Sequence, residues 1–371
     1  HVYGGVSGNG NLTKEGLGTV FMDGTNSYVG TTTVNGGKLW IYKDYAHSGG
    51  GDYFVTRGEL IANGGRSLCS PANKVYLGAP GSLGGFAPHG GQWASCYFTN
   101  PIVLTGNGGI LFSRSDSTVR WLAPISGTGT LIFAHGQSLI MYSNNTFQGD
   151  VHIVDGLPYA IDTAARTTFG LATNIYLGPS AVLFIQNAAN LSAGAVVRMY
   201  KTPEPANWGG ILRLQADYIP EVTTDSSGYL ALYGTAGNAI KSRLASTQPY
   251  GAGTIYLWGG NPYGANTFDG TNLAALVAND PTHTYKFASG PALWFSMWDL
   301  VLDSLNGTTG ALHDIDGVPY HVQVGVRPLN VNPTGYSPAS LITRDDQTFT
   351  GNLTIYNGQR FLGILPAGTA S

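Results

Sequence analysis

Between Gly8 and Leu39 the chain reads GNGNLTKEGLGTVFMDGTNSYVGTTTVNGGKL, short alternating runs broken by glycine. Leu12, Val20, Met22, Tyr28, Thr32 and Val34 share one parity, so in an extended chain they lie on one face of a sheet. Gly16, Gly18, Gly24, Gly30 and Gly36–Gly37 fall between the runs, where the chain must turn or approach another backbone closely. Strands this short bury one face each. They gain a core by stacking on others of the same kind.

The pattern recurs. Its marker is a corner of Asn, a hydroxyl residue, an aromatic, any residue and Gly. It stands as Asn26-Ser27-Tyr28-Val29-Gly30, Asn145-Thr146-Phe147-Gln148-Gly149 and Asn266-Thr267-Phe268-Asp269-Gly270. A fourth copy, Gln347-Thr348-Phe349-Thr350-Gly351, has Gln for Asn. Val20-Phe21-Met22 precedes the first copy as Leu139-Ile140-Met141 precedes the second. The expected roles are an amide that bonds backbone at the corner, a ring that fills the core beneath it, and a glycine that turns the chain. Ala72–Gly78 echoes Ala172–Gly178, and His152–Tyr159 echoes His313–Tyr320. Irregular repeats of short strands predict stacked coils of roughly 20–30 residues.

Over Lys14 to Leu39 the chain resembles the autotransporter-associated β-strand repeat. The residues that carry the likeness are Lys14, Gly16, Gly18, Gly24, Asn26, Tyr28, Gly30, Thr32, Val34, Gly37 and Leu39. The resemblance implies an all-β protein, a right-handed parallel β-helix (β-solenoid), of the kind found in passenger regions of large bacterial secreted and surface proteins. It implies a scaffold and transfers no catalytic residue. The chain is accordingly expected to form one solenoid over 1–371. Gly-rich lateral loops are expected at 42–91, and less regular coils or an insertion at 200–338. Pro291 to Leu300 reads as a short helix or a buried strand.

Composition narrows the function. Charged residues are 11% of the chain, the net charge is −3, and the 18 Lys and Arg stand singly. Electrostatic capture of nucleic acid or of an anionic membrane is therefore not expected. No apolar run approaches the roughly 20 residues of a membrane helix. Two cysteines, Cys69 and Cys96, lie 27 residues apart, about one coil; a disulfide between neighbouring coils and two buried thiols both fit. Few thiols suit a secreted, extracellular or cell-surface protein.

The residue types that carry chemistry form no reaction motif in this sequence. The order of motifs in a pectinase-like hydrolase fails here, because Ala134-His135-Gly136 precedes Asp345-Asp346. Arg114, Arg120, Arg198, Lys201 and Arg213 read as solvated positions rather than a lyase cluster. His313, Asp314 and Asp316 read as a turn built on Asp316-Gly317. His1 with His47, His89 or His135 gives no fixed copper set, and Asp23 lacks the spacing of a calcium loop. No catalytic residue, metal or cofactor is expected. The repeat starts within the first ten residues and another copy lies near the C-terminus, which leaves little chain for caps. Self-association through solenoid ends is the expected partnership, since uncapped strand edges template pairing. A polysaccharide or host-surface ligand, or a polysaccharide lyase or hydrolase on the same scaffold, is the competing expectation.

Overall fold

The computed structural model describes residues 1–42, 50–63, 68, 70–89, 96–111, 118–134, 138–156, 158–159, 166–200, 210–214, 220–223, 225–232, 255–259, 266–269, 277, 280–287, 300–303, 312–324, 340–343, 347–356 and 360–363. The fold is a β-solenoid, nearly all β, with parallel strands stacked coil on coil. The chain divides into two units. One comprises His1–Tyr176 with Ala189–Ala195, and the other Leu177–Ala188 with Val196–Ser371.

In the first unit, one ladder runs through Thr19–Met22, Lys38–Ile41, Gly58–Asn63, Leu83–His89, Asn107–Leu111, Leu131–Ala134 and Val151–Gly156, each parallel to the next. Its register pairs Thr19 with Lys38, then Glu59, Gly85, Gly109, Ile132 and His152, so a coil takes 19 to 26 residues. A second ladder of six strands starts at Leu12–Lys14 and ends at Ile125–Gly127. A third joins Cys96–Phe98, Thr118–Trp121 and Ser138–Met141.

The core is built in columns, because parallel register places like positions above one another. Leu39, Leu60, Phe86, Ile110, Phe133 and Ile153 form one column, each at most 1% exposed. Thr32, Tyr53, Val75, Ile102 and Ile125 form a second, and Phe98, Trp121 and Met141 a third. All of these are buried. The rings of Phe98 and Trp121 stack at 5.8 Å, and Phe86 meets both edge-on. The parity read at Leu12 to Val34 is the one observed.

The second unit repeats the device. A ladder from Val182–Ile185 passes through Gly210–Leu214, Gly228–Leu232, Ile255–Gly259, Thr284–Phe287 and His321–Val324 to Leu353–Ile355. Its column of Leu183, Leu212, Leu230, Leu257, Phe287 and Val324 is buried throughout. A separate four-stranded sheet holds Asn266–Asp269, Leu300–Asp303, Ser340–Thr343 and Arg360–Gly363.

Three readings change. Within 42–91, expected as lateral loops, the strands Tyr53–Val55, Gly58–Asn63, Val75–Leu77 and Leu83–His89 belong to the stack. Glycine serves close packing there: a Cβ on Gly84 would sit 1.8 Å from the Val55 carbonyl oxygen. The corners at Asn26 and Asn145 are not fully equivalent, since Met22 ends a strand of the first ladder and Met141 a strand of the third. Nor does the echo between His152–Tyr159 and His313–Tyr320 extend to the turn at Asp316-Gly317, because the strand Val151–Gly156 runs through Asp155-Gly156. The Pro291 helix or strand lies outside the described residues, apart from Leu300, which opens a strand.

Candidate functional site

With no ligand present, the distinctive chemistry of this chain is at the corners and outer faces of its coils. Asn26 is fully buried. Its Oδ1 accepts from the Val6 N–H at 3.0 Å and its Nδ2 donates to the Gly24 carbonyl at 3.0 Å. Asn145 repeats this: Oδ1 accepts from the Ile125 N–H at 2.8 Å, and Nδ2 donates to the Thr168 carbonyl. In both cases the accepted N–H is 20 residues back, one coil below. An amide suits this place because it both donates and accepts, whereas a parallel ladder leaves one N–H and one C=O unmatched where it bends.

Sequence reasoning missed two members of this set. Asn100 accepts from the Leu68 N–H and donates toward the carbonyls of Leu68, Ser70 and Asn73. Asn190 donates to Arg166 O and Thr168 Oγ1. The Asn100-Pro101 step was the available signal for the first, since Asn before Pro marks a turn. Nothing in the local sequence marks Asn190.

The ring positions of the corners are filled as follows. Tyr28 is buried and its hydroxyl meets Thr32 Oγ1 at 2.5 Å, and Phe147 is buried without polar contact. A Cβ on Gly30 or Gly149 would meet the backbone of Gly10 or Gly129. Asn266 and Phe268 fall in the strand Asn266–Asp269, and Gly270 lies outside the described residues. In the last copy Gln347 Oε1 accepts from the Leu312 N–H at 2.7 Å, Phe349 is half-buried, and Gly351 abuts the Tyr320 carbonyl. Of the cysteine pair, Cys69 lies outside the described residues and Cys96 opens the strand Cys96–Phe98.

Lys14 is the unexpected buried charge. Its stem closes over the core and its ammonium donates to the carbonyls of Glu15, Gly16 and Gly36 at 2.6, 2.7 and 3.0 Å. One cation thus satisfies two successive turns. On the outer face of the first ladder, His1 stacks on Phe21 at 4.3 Å and Phe21 on Trp40 at 5.2 Å. Asp23 holds the His1 ring through Nδ1 at 2.9 Å.

In the second unit the frame of His313 forms a corner. Ile315 and Val318 bridge across Asp316 and Gly317, whose φ values of 53° and 76° define a type I′ turn. The Asp314 carboxylate accepts from Tyr320 N, Thr350 N and the Thr350 hydroxyl. Those bonds, the Thr350 hydroxyl first, hold its pKa below the ordinary carboxylate value. His321 Nδ1 accepts from the Asn352 N–H at 2.8 Å, which fixes its lone pair toward the next coil. Asp280 pairs with Lys286 and also accepts from Thr282. Burial raises the pKa of Tyr285, whose hydroxyl donates to His313 O, so this phenol is a structural donor.

Among the described residues, the remaining candidates are not brought together. Arg120 lies over the Tyr97 ring and Arg213 over the Phe184 ring. His47, Cys69, Arg114, His135, Lys201 and Asp345-Asp346 lie outside the described residues. Among the described residues no three of His, Cys, Asp and Glu are grouped to hold a metal ion. No described helix is long and apolar enough to cross a membrane.

Stacked parallel coils with buried corner amides define a β-solenoid. Residues 12–41 match the family described as the passenger-associated-transport-repeat, and the β-solenoid around them is consistent with such a repeat. No curated protein and no solved structure matches the chain significantly.

Proposed function

We propose that this chain is a passenger-type solenoid, exported to the cell surface or beyond, where it acts as a non-catalytic scaffold or adhesin that also self-associates. The reading is carried by one observation: the passenger-associated repeat at 12–41 supplies strands to both main ladders of the first unit. A second copy is the preferred partner, because parallel coils present backbone edges to like coils and few charges oppose the contact. Protease treatment of intact producing cells tests export, and a chain that stays protected inside them overturns it. Light scattering across a concentration series tests assembly, and a monomer at every concentration removes that part.

A second reading, polysaccharide binding or cleavage, draws on the outer-face rings, since Tyr3 is 76% and Tyr42 47% exposed beside the His1 and Trp40 stack. Release of reducing or unsaturated sugars from a polysaccharide panel would replace the non-catalytic reading with an enzymatic one.

A further inference from the structure

We propose that Asn11, Asn144 and Asn352 are acceptor sites for N-linked sugar. The inference rests on the export reading, which brings the chain to the compartment where such modification is made.

The sequence holds five Asn-x-Ser/Thr motifs without proline at x, beginning at Asn11, Asn144, Asn190, Asn306 and Asn352. Asn306 lies outside the described residues. The motif alone is common in an Asn- and Thr-rich chain, and the fold divides the other four. Asn11, Asn144 and Asn352 are exposed; Asn190 is fully buried. Asn11 Oδ1 accepts from the Thr31 N–H and Asn144 Oδ1 from the Thr167 N–H, which holds each amide with its nitrogen outward. Among the described residues, Asn352 engages its neighbours only through its backbone. Among the described residues, no group accepts from Nδ2 of these three. Thr13, Thr146 and Thr354 likewise keep their hydroxyls free.

The buried motif is the opposite in both respects. Asn190 Nδ2 donates to Arg166 O and Thr168 Oγ1, and the Ser192 hydroxyl donates to Ala172 O. The other buried corner amides, Asn26, Asn100 and Asn145, also spend Nδ2 on backbone carbonyls. Among the four described motifs, the reacting nitrogen is therefore free only where the motif is exposed. Asn11 and Asn352 each stand just before a strand, Leu12–Lys14 and Leu353–Ile355. The two-residue period places Thr13 and Thr354 on the same outer side as their asparagines. A transferase can read both groups there without opening a coil.

The donor is a diphosphate-activated sugar. The Asn Nδ2 forms a bond to the anomeric carbon as the bond from that carbon to the diphosphate oxygen breaks. The diphosphate leaves with the electron pair, and the Nδ2 proton passes to a base of the transferase.

The test is peptide mapping by mass spectrometry on the chain recovered from its own producing cells, with surface exposure measured on the same cells. Added sugar at one or more of Asn11, Asn144 and Asn352, with Asn190 bare, is the expected result. Thr13→Ala, Thr146→Ala and Thr354→Ala should each abolish sugar at their own site only, with unchanged melting, since those hydroxyls make no bonds. A surface-exposed chain with all three asparagines bare overturns this inference and leaves the export reading standing. Sugar at Asn190 in folded protein also overturns it. A chain that never reaches the surface overturns the export reading instead.

Discussion

At the scale of single residues, the buried amide and the buried ammonium make the sharpest claims. Asn145→Ala removes the acceptor of Ile125 N–H and the donor to Thr168 O at a buried corner, so it should cost about 2–3 kcal/mol in chemical denaturation. Thr146→Ala, one residue away and exposed, should be near neutral. Equal effects would show that the corner amide is dispensable. Lys14→Met keeps the stem that covers the core and removes three charge-assisted bonds to turn carbonyls. A loss of about 1–2 kcal/mol is expected, and no loss would mean that solvent satisfies those carbonyls.

At the scale of an element, the fold tolerates side chains outward and refuses them between coils. Gly84→Ala drives a methyl into the Val55 carbonyl and should cost more than about 3 kcal/mol unless the strand shifts. Gly194→Ala faces open space and meets only the penalty of its φ of 79°, about 1 kcal/mol. Thermal melts of the pair check the ranking. The Asp314 corner is pH-sensitive in a definite direction. Its pKa is lower folded than unfolded, so its contribution is present above the unfolded value near ~4 and is lost as pH falls through the folded one. The protection of the Thr350 amide, the slowing of its exchange relative to an unstructured amide at the same pH, should therefore fall on acidification below about pH 4, and Asp314→Asn should remove most of that pH dependence.

At the scale of the molecule, each coil contacts its neighbours and little else, so stability is a sum of nearest-neighbour terms. Unfolding should then depart from a single two-state transition. Hydrogen exchange in rising denaturant should show different midpoints for amides of Leu60 and Phe86 in the first unit and of Leu230 and Leu257 in the second. One shared midpoint would make the two units a single cooperative body.

The alternation at Leu12 to Val34, the glycines between runs and the Asn-aromatic-Gly corners were enough to specify stacked parallel strands and which parity faces inward. They were enough because those signals are local: a two-residue period and a turn propensity act within a few residues. The sequence also carried the corner role of Asn26 and Asn145. Registers, ladder membership and burial are a different matter, since each depends on what lies one coil above or below. That is why Asn100 and Asn190 escaped notice, why the glycines near Gly84 read as loops, and why the burial of Lys14 was not foreseen. It is also why four copies of one Asn-x-Ser/Thr motif could be told apart only in three dimensions. Whether an amide nitrogen faces a carbonyl or water is decided by the neighbouring coil, which the local sequence does not contain.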